Sequence, residues 1–120
     1  LACSQRLQHA QILHDTFESV ESRARSGDFV YFDPPYQPVS ATSTFTSYTS
    51  RGFCFEDHRR LRDLALRLKR RGVHVLVSNS ASSHVLGLYE KHFEIHEVQA
   101  LRKVNCKREK RGRITELLIR

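Results

Sequence analysis

The chain predicts an α/β fold: a mainly parallel sheet with helices on both faces and an antiparallel hairpin at one edge. Three observations carry this. Strand-like runs alternate with helical stretches along most of the 120 residues, the pattern of a layered α/β domain. The run Phe29-Val30-Tyr31-Phe32 is continuously apolar, as expected of a central parallel strand covered on both faces. The last two strands, residues 93–98 and 114–119, have no helical pattern between them, which fits a hairpin.

Taken in order, Ala10-Gln11-Ile12-Leu13 reads as a short strand, and residues 16–25 as a helix with Phe17 and Val20 on one face. Ser26-Gly27-Asp28 is a turn before the Phe29–Phe32 strand. Residues 37–51 are rich in Ser and Thr, with Phe45 and Tyr48 among them. They follow neither period and read as a loop, long enough to suggest a functional one. Residues 56–71 give the clearest helix. Glu56 and Asp57 suit its first turn. Leu61, Leu64, Ala65 and Leu68 form one apolar stripe, and Gly72 supplies the stop. Its many arginines read as a solvated face. Val73 to Val77 is a second β-rich run ending in Ser78-Asn79-Ser80, and residues 82–92 a further helix.

Composition bounds the function. The length suits one domain at most, and no stretch has the length and apolar character of a membrane span or a signal peptide. The first residue is Leu, which fits a chain that continues upstream. Cys3, Cys54 and Cys106 are odd in number and widely spaced, which gives neither a disulfide framework nor a metal spacing and suggests a reducing cytoplasmic, nucleoid-associated setting. His92 and His96 read as the polar face of a strand, and no metal is expected. Net charge is +7 and unevenly placed. Arg102, Lys103, Lys107, Arg108, Lys110, Arg111 and Arg113 face only Glu109 between residues 102 and 113, a local excess of seven cations over one anion. Such a segment suits phosphate contacts, or else serves as a solvated basic loop.

The chemistry concentrates at Asp33-Pro34-Pro35-Tyr36, directly behind the apolar strand. Open α/β sheets bind ligands at the carboxyl ends of their strands. The prolines stop the strand and stiffen the turn. Asp33 and the Pro34 carbonyl can converge on an amino group, while Tyr36 offers a flat face to a planar base. A plain Pro-rich turn, with Asp as turn former and Tyr as partial core, is the alternative on these four residues alone.

The motif resembles the catalytic motif of amino-group methyltransferases that use S-adenosylmethionine. Residues 27–48, Val75 to Ser80 and Lys110 to Leu118 are together similar to DNA adenine methyltransferases of the Dam type, a likeness extending from about His9 to the C-terminus. It implies an incomplete Rossmann-like methyltransferase fold, with S-adenosyl-L-methionine as methyl donor and duplex DNA as partner, and a monomeric full-length enzyme. It also implies roles. Asp33 and Pro34 would draw electron density onto an adenine N6 nitrogen, Pro35 would stiffen the turn and Tyr36 would stack on the flipped base. Thr16 and Phe17 fall where the family lines its cofactor pocket, with Asp33 at the pocket's edge; Phe17 packs on the cofactor or on the core. Ser78-Asn79 marks either a site at a strand end or a helix-capping turn. Ser40, Thr42, Phe45, Thr46 and Tyr48 in the loop are DNA-contact candidates, with Arg102, Asn105, Lys110 and Arg111 in the basic segment.

The five glycines, at 27, 52, 72, 87 and 112, form no Gly-rich cofactor loop of the family's kind. In that group the loop and the target-recognition region come earlier in the chain. Residues 1–120 therefore read as the C-terminal catalytic part of a methyltransferase domain, inactive as an isolated piece. Other readings are a non-catalytic nucleic-acid-binding remnant or an RNA adenine methyltransferase. Enzymes acting on RNA adenine or protein glutamine more often carry Asn at position 33, and cytosine-amino enzymes Ser, so Asp33 favours DNA adenine.

Overall fold

A computed structural model of the chain describes residues 2–36, 52–101 and 113–120. In order these form α1 (Ala2–Leu7), a 3-10 turn (Phe17–Ser19), α2 (Val20–Arg23), β1 (Phe29–Phe32), α3 (Phe55–Arg70), β2 (His74–Ser80), α4 (Ser83–Tyr89), β3 (Ile95–Leu101) and β4 (Arg113–Ile119). The strands make one sheet in the order β1-β2-β4-β3. β1 and β2 are parallel, with Phe29 opposite His74 and Phe32 opposite Val77. Parallel neighbours need a long crossover, and α3 lies within this one. β3 and β4 pair antiparallel from Ile95–Ile119 to Leu101–Arg113, and β4 also pairs antiparallel with β2.

α3 forms for the reasons its sequence gives. Leu61, Leu64, Ala65 and Leu68 are all at most 2% exposed. The Asp57 carboxylate accepts the Cys54 N–H at 2.8 Å and closes the first turn. That bond is the main cause holding the Asp57 carboxyl below its usual range. The helix stops at Gly72, whose φ of +80° favours glycine. A Cβ there would also meet Ser26 Oγ at 2.5 Å. The turns on either side are joined: Gly27 N–H donates to the Gly72 carbonyl and His74 N–H to the Asp28 carbonyl, both at 2.8 Å. These two bonds set the starts of β1 and β2 level.

The core lies on one face of the sheet. Phe32, Val75, Val77, Leu117 and Ile119 pack with the α3 stripe and with Val85, Leu88, Tyr89 and Phe93. Alternate residues point the other way, and there Phe29, Tyr31 and Val98 are 64%, 52% and 42% exposed.

Four expectations are corrected. The sheet is not mainly parallel among the described residues: β1–β2 is its single parallel pairing, because β4 inserts between β2 and β3 and opposes both. Among the described residues α3 and α4 pack on one face of the sheet, and on the other face Phe29 and Tyr31 of β1 are exposed. Residues 10–13 form no strand; Ile12 is 92% exposed, since a short apolar run without a pairing partner gains nothing from extension. The α3 arginines are not simply solvated. Arg67 makes a two-pronged contact with Glu21 at 2.7 and 3.0 Å. Arg71 donates to the Glu21 and Ala24 carbonyls at 2.7 and 2.8 Å, and Arg60 pairs with Glu18. They clasp the α2 region to α3 and satisfy carbonyls at the end of α2.

Candidate active site

β1 delivers the site. Its last register pair is Phe32–Val77, so one further step brings Asp33 beside Ser78. The strand's alternation puts Tyr31 and Asp33 on the open face, and Ser78 faces them from β2. Ser78 Oγ donates to Asp33 Oδ1 at 2.9 Å. The Tyr31 hydroxyl donates to Ser78 Oγ, also at 2.9 Å. Ser78 is 3% exposed, whereas Asp33 is exposed. Pro34 then turns inward and is buried, while Pro35 and Tyr36 emerge. Tyr36 is 39% exposed. Its hydroxyl stands 3.4 Å from Glu116 Oε2 on β4, a long hydrogen bond. Partial burial raises the Tyr36 hydroxyl above its usual pKa. Ser78 opposes that shift, and the nearby Glu116 and Asp33 charges add to it.

The next residue along β2 serves the other face. Asn79 is fully buried, with its amide 3.4 Å from His58 Nδ1 and its side-chain oxygen accepting the Ser80 N–H at 2.8 Å. Burial lowers the His58 pKa, partly offset by Asp57. The Phe53 ring meets His58 edge-on at 4.7 Å and Phe17 at 5.7 Å. The Arg60 guanidinium lies 5.5 Å from the Phe17 ring centre. Phe17 is thus packed against the core, and its neighbours here are Phe53 and Arg60. Thr16 precedes the 3-10 turn and is exposed; its N–H donates to Asp15 Oδ1 at 2.8 Å.

The structure therefore unites Asp33, Pro34, Pro35 and Tyr36 at one strand end and places Thr16 and Phe17 on a separate element. Ser78 and Asn79 are strand residues; the cap of α4 is Ser82, whose Oγ accepts the Val85 N–H at 3.2 Å. Ser40, Thr42, Phe45, Thr46, Tyr48, Arg102, Asn105, Lys110 and Arg111 lie outside the described residues. Two site neighbours, Tyr31 and Glu116, had no assigned role in the sequence, which marks Ser78 only as part of a strand-end site or a helix-capping turn. The parity of residues 31 and 33 was a signal for Tyr31, while Ser78 and Glu116 needed the sheet register. Among the described residues no three His, Cys, Asp or Glu side chains converge as a metal site, and no helix is long and apolar enough to cross a membrane. A groove of about 730 Å³ lies at the far end of the strands, lined by Phe29, Lys69, His74, Leu76 and Arg120 among others.

An exposed carboxylate, a buried proline and a half-exposed ring at the carboxyl end of a parallel strand define a ligand-facing strand end of an α/β protein. The chain belongs to the D12 class of N6 adenine-specific DNA methyltransferases, whose family model matches residues 2–104. It is 49% identical over 109 residues to the type II methyltransferase M1.LlaDCHI of Lactococcus lactis subsp. cremoris, covering 91% of this chain and 38% of that protein. It is 42% identical over 117 residues to the type II methyltransferase M.MjaIII of Methanocaldococcus jannaschii, covering 97% and 40%. It is 34% identical over 116 residues to a DNA adenine methylase of Vibrio cholerae, covering 96% and 42%. The chain thus spans about two fifths of the length of these curated relatives.

Proposed function

We propose that the protein carrying this chain transfers a methyl group to the N6 amino group of adenine in duplex DNA, with S-adenosyl-L-methionine as donor and the target base flipped out of the helix. The observation that carries the reading is the Asp33 carboxylate: it is exposed at the strand end, hydrogen-bonded through Oδ1 to Ser78 and followed by Pro34 and Tyr36. The family and the names of the relatives support the same chemistry.

The adenine amino nitrogen is a poor nucleophile because its lone pair is delocalised into the ring. Asp33 accepts one amino hydrogen and the Pro34 carbonyl the other, which returns density to the nitrogen and holds it for in-line attack. Tyr36 stacks on the extruded base. The donor, when bound, supplies a methyl group activated by a positive sulfur, so no metal is required. The described residues fit part of that donor: the exposed Asp33 carboxylate can meet its polar groups, and the half-exposed Tyr31 ring on the same face offers an apolar surface. Phe17 fits a place in the core better, given its contacts with Phe53 and Arg60. Contacts to DNA fall to the loop residues Ser40, Thr42, Phe45, Thr46 and Tyr48 and to Arg102, Asn105, Lys110 and Arg111.

On this reading the chain is the C-terminal catalytic part of a Rossmann-like methyltransferase domain. In support, β1 ends the sheet among the described residues, and its free edge is open to further strands. The test uses the complete protein. Asp33→Ala should lower methyl transfer to a duplex oligonucleotide by on the order of 10²–10³-fold, the usual cost of one preorganised transition-state contact, while DNA affinity changes less than about twofold. Transfer that survives this substitution overturns the mechanism. Loss of DNA binding together with transfer would assign Asp33 to structure.

A further inference from the structure

We propose that Ser78 is a positioning residue for the Asp33 carboxylate, with Tyr31 fixing the direction of its hydroxyl. The inference rests on the function proposed above and deepens it. A serine hydroxyl has one hydrogen and two lone pairs. Here the hydrogen goes to Asp33 Oδ1 at 2.9 Å, and a lone pair is taken by the Tyr31 hydroxyl at 2.9 Å. The relay therefore runs one way, Tyr31 to Ser78 to Asp33.

Burial makes this relay matter. Ser78 is 3% exposed and sits opposite Leu118 in the ladder, with Leu76 two residues back on the same face. A serine there gives up apolar burial that a valine would gain, and its hydroxyl has to be hydrogen-bonded. Its acceptor is the carboxylate on which the proposed chemistry depends. The terminal torsion of an aspartate is broad, so an exposed Asp33 without this anchor would sample many carboxylate orientations. Anchoring Oδ1 fixes the carboxylate plane and leaves Oδ2 free of this bond, available to accept the amino hydrogen. A displacement of about 1 Å at such a group can cost about 10²-fold in rate.

The test measures single-turnover methyl transfer in the complete protein, with donor and DNA affinities and the thermal midpoint measured alongside. Ser78→Ala should slow transfer about 10–100-fold, with both affinities within about twofold. Ser78→Thr, which keeps a hydroxyl, should recover most of the rate. Tyr31→Phe removes only an oxygen from a half-exposed side chain and leaves the fold intact. It should slow transfer a few-fold in the native background and not at all in Ser78→Ala, because the Tyr31 hydroxyl bonds to Ser78, which in turn bonds Asp33. An unchanged rate in Ser78→Ala overturns the proposal. So does an equal Tyr31→Phe effect in both backgrounds, or a rate loss that follows the thermal midpoint alone. If Ser78→Ala lowers the midpoint too far to assay, Tyr31→Phe decides: a native rate in that variant overturns the relay. Asp33→Ala separates the two failures. An active Asp33→Ala enzyme defeats the function itself, whereas an inactive one beside a fully active Ser78→Ala defeats only the positioning role.

Discussion

The two faces of the sheet are built from alternate residues of the same strands, yet they differ in kind. On the covered face Phe32, Val77, Leu117 and Ile119 meet α3 and α4 and are at most 8% exposed. Its polar members, Asn79 and His58, are buried against each other. On the open face Phe29 and Tyr31 remain exposed, and the polar members Tyr31, Ser78 and Asp33 form a chain that ends at an exposed carboxylate. Burial holds the first face together. The second carries the anchored carboxylate on which the proposed chemistry depends. The division is sharpest within β2, where Ser78 and Asn79 are adjacent and serve opposite faces.

The largest expected effect comes from breaking the covered face. Leu64 is fully buried in α3. Leu64→Ala in the complete protein should lower stability by about 2–5 kcal/mol, read as a shift in the urea midpoint at constant slope. The folded fraction should transfer methyl groups at the native single-turnover rate. A rate loss well beyond the loss of folded protein would show that the two faces are coupled.

How much of this was legible in the sequence follows the same division. The covered face was readable wherever it lay on a long periodic element: the stripe of Leu61, Leu64, Ala65 and Leu68 predicted α3 to within a residue at each end. The continuous run Phe29–Phe32 was correctly a strand but misleading about its surroundings. An apolar residue is compatible with a covered face without proving that anything covers it, and Phe29 and Tyr31 are exposed. Residues 10–13 misled for a related reason, because strand propensity has little force without a neighbour to pair with. At the site, Asp33 and Tyr36 were legible because the turn motif is local. Ser78 lies 45 residues further on, and only the Phe32–Val77 register brings it to Asp33. Glu116 reaches Tyr36 through a similarly long-range pairing.

A second effect, of intermediate size, sharpens the comparison from the open face. Tyr36 contributes little to the core, so Tyr36→Ala should change stability by less than about 0.5 kcal/mol. If its ring stacks on the extruded adenine, the same change should remove about 1–3 kcal/mol from transition-state binding, roughly a 5–150-fold fall in single-turnover rate. Tyr36→Phe should keep most of that rate, since it keeps the ring and gives up only the hydroxyl's long 3.4 Å contact with Glu116 and its hydrogen bond with Ser78. Equal losses in both variants would move the role from the ring to the hydroxyl.

The smallest expected effect is a pH dependence that belongs to the covered face alone. Burial pushes the His58 pKa down from 6.5, with Asp57 opposing. The groups against the ring are the Asn79 amide and the Phe53 edge, neither of which titrates. Between the folded pKa and about 6.5 the unfolded chain binds a proton at this histidine that the folded chain does not. Stability must then rise with pH through that window. The contribution is fully present above the unfolded pKa and is lost as pH falls through the folded one. The shifted carboxylates do not confuse the measurement. Glu21, Asp57 and Glu94 are held below their usual values by Arg67, by the Cys54 N–H and by Arg120 respectively, so they titrate at lower pH. Urea midpoints at about pH 7.5 and 5.5 should therefore differ more in the native protein than in His58→Gln. Equal differences would mean that His58 takes up its proton without leaving the core. Because the covered face would then admit a charge beside Asn79, the contrast with the open face would rest on packing alone.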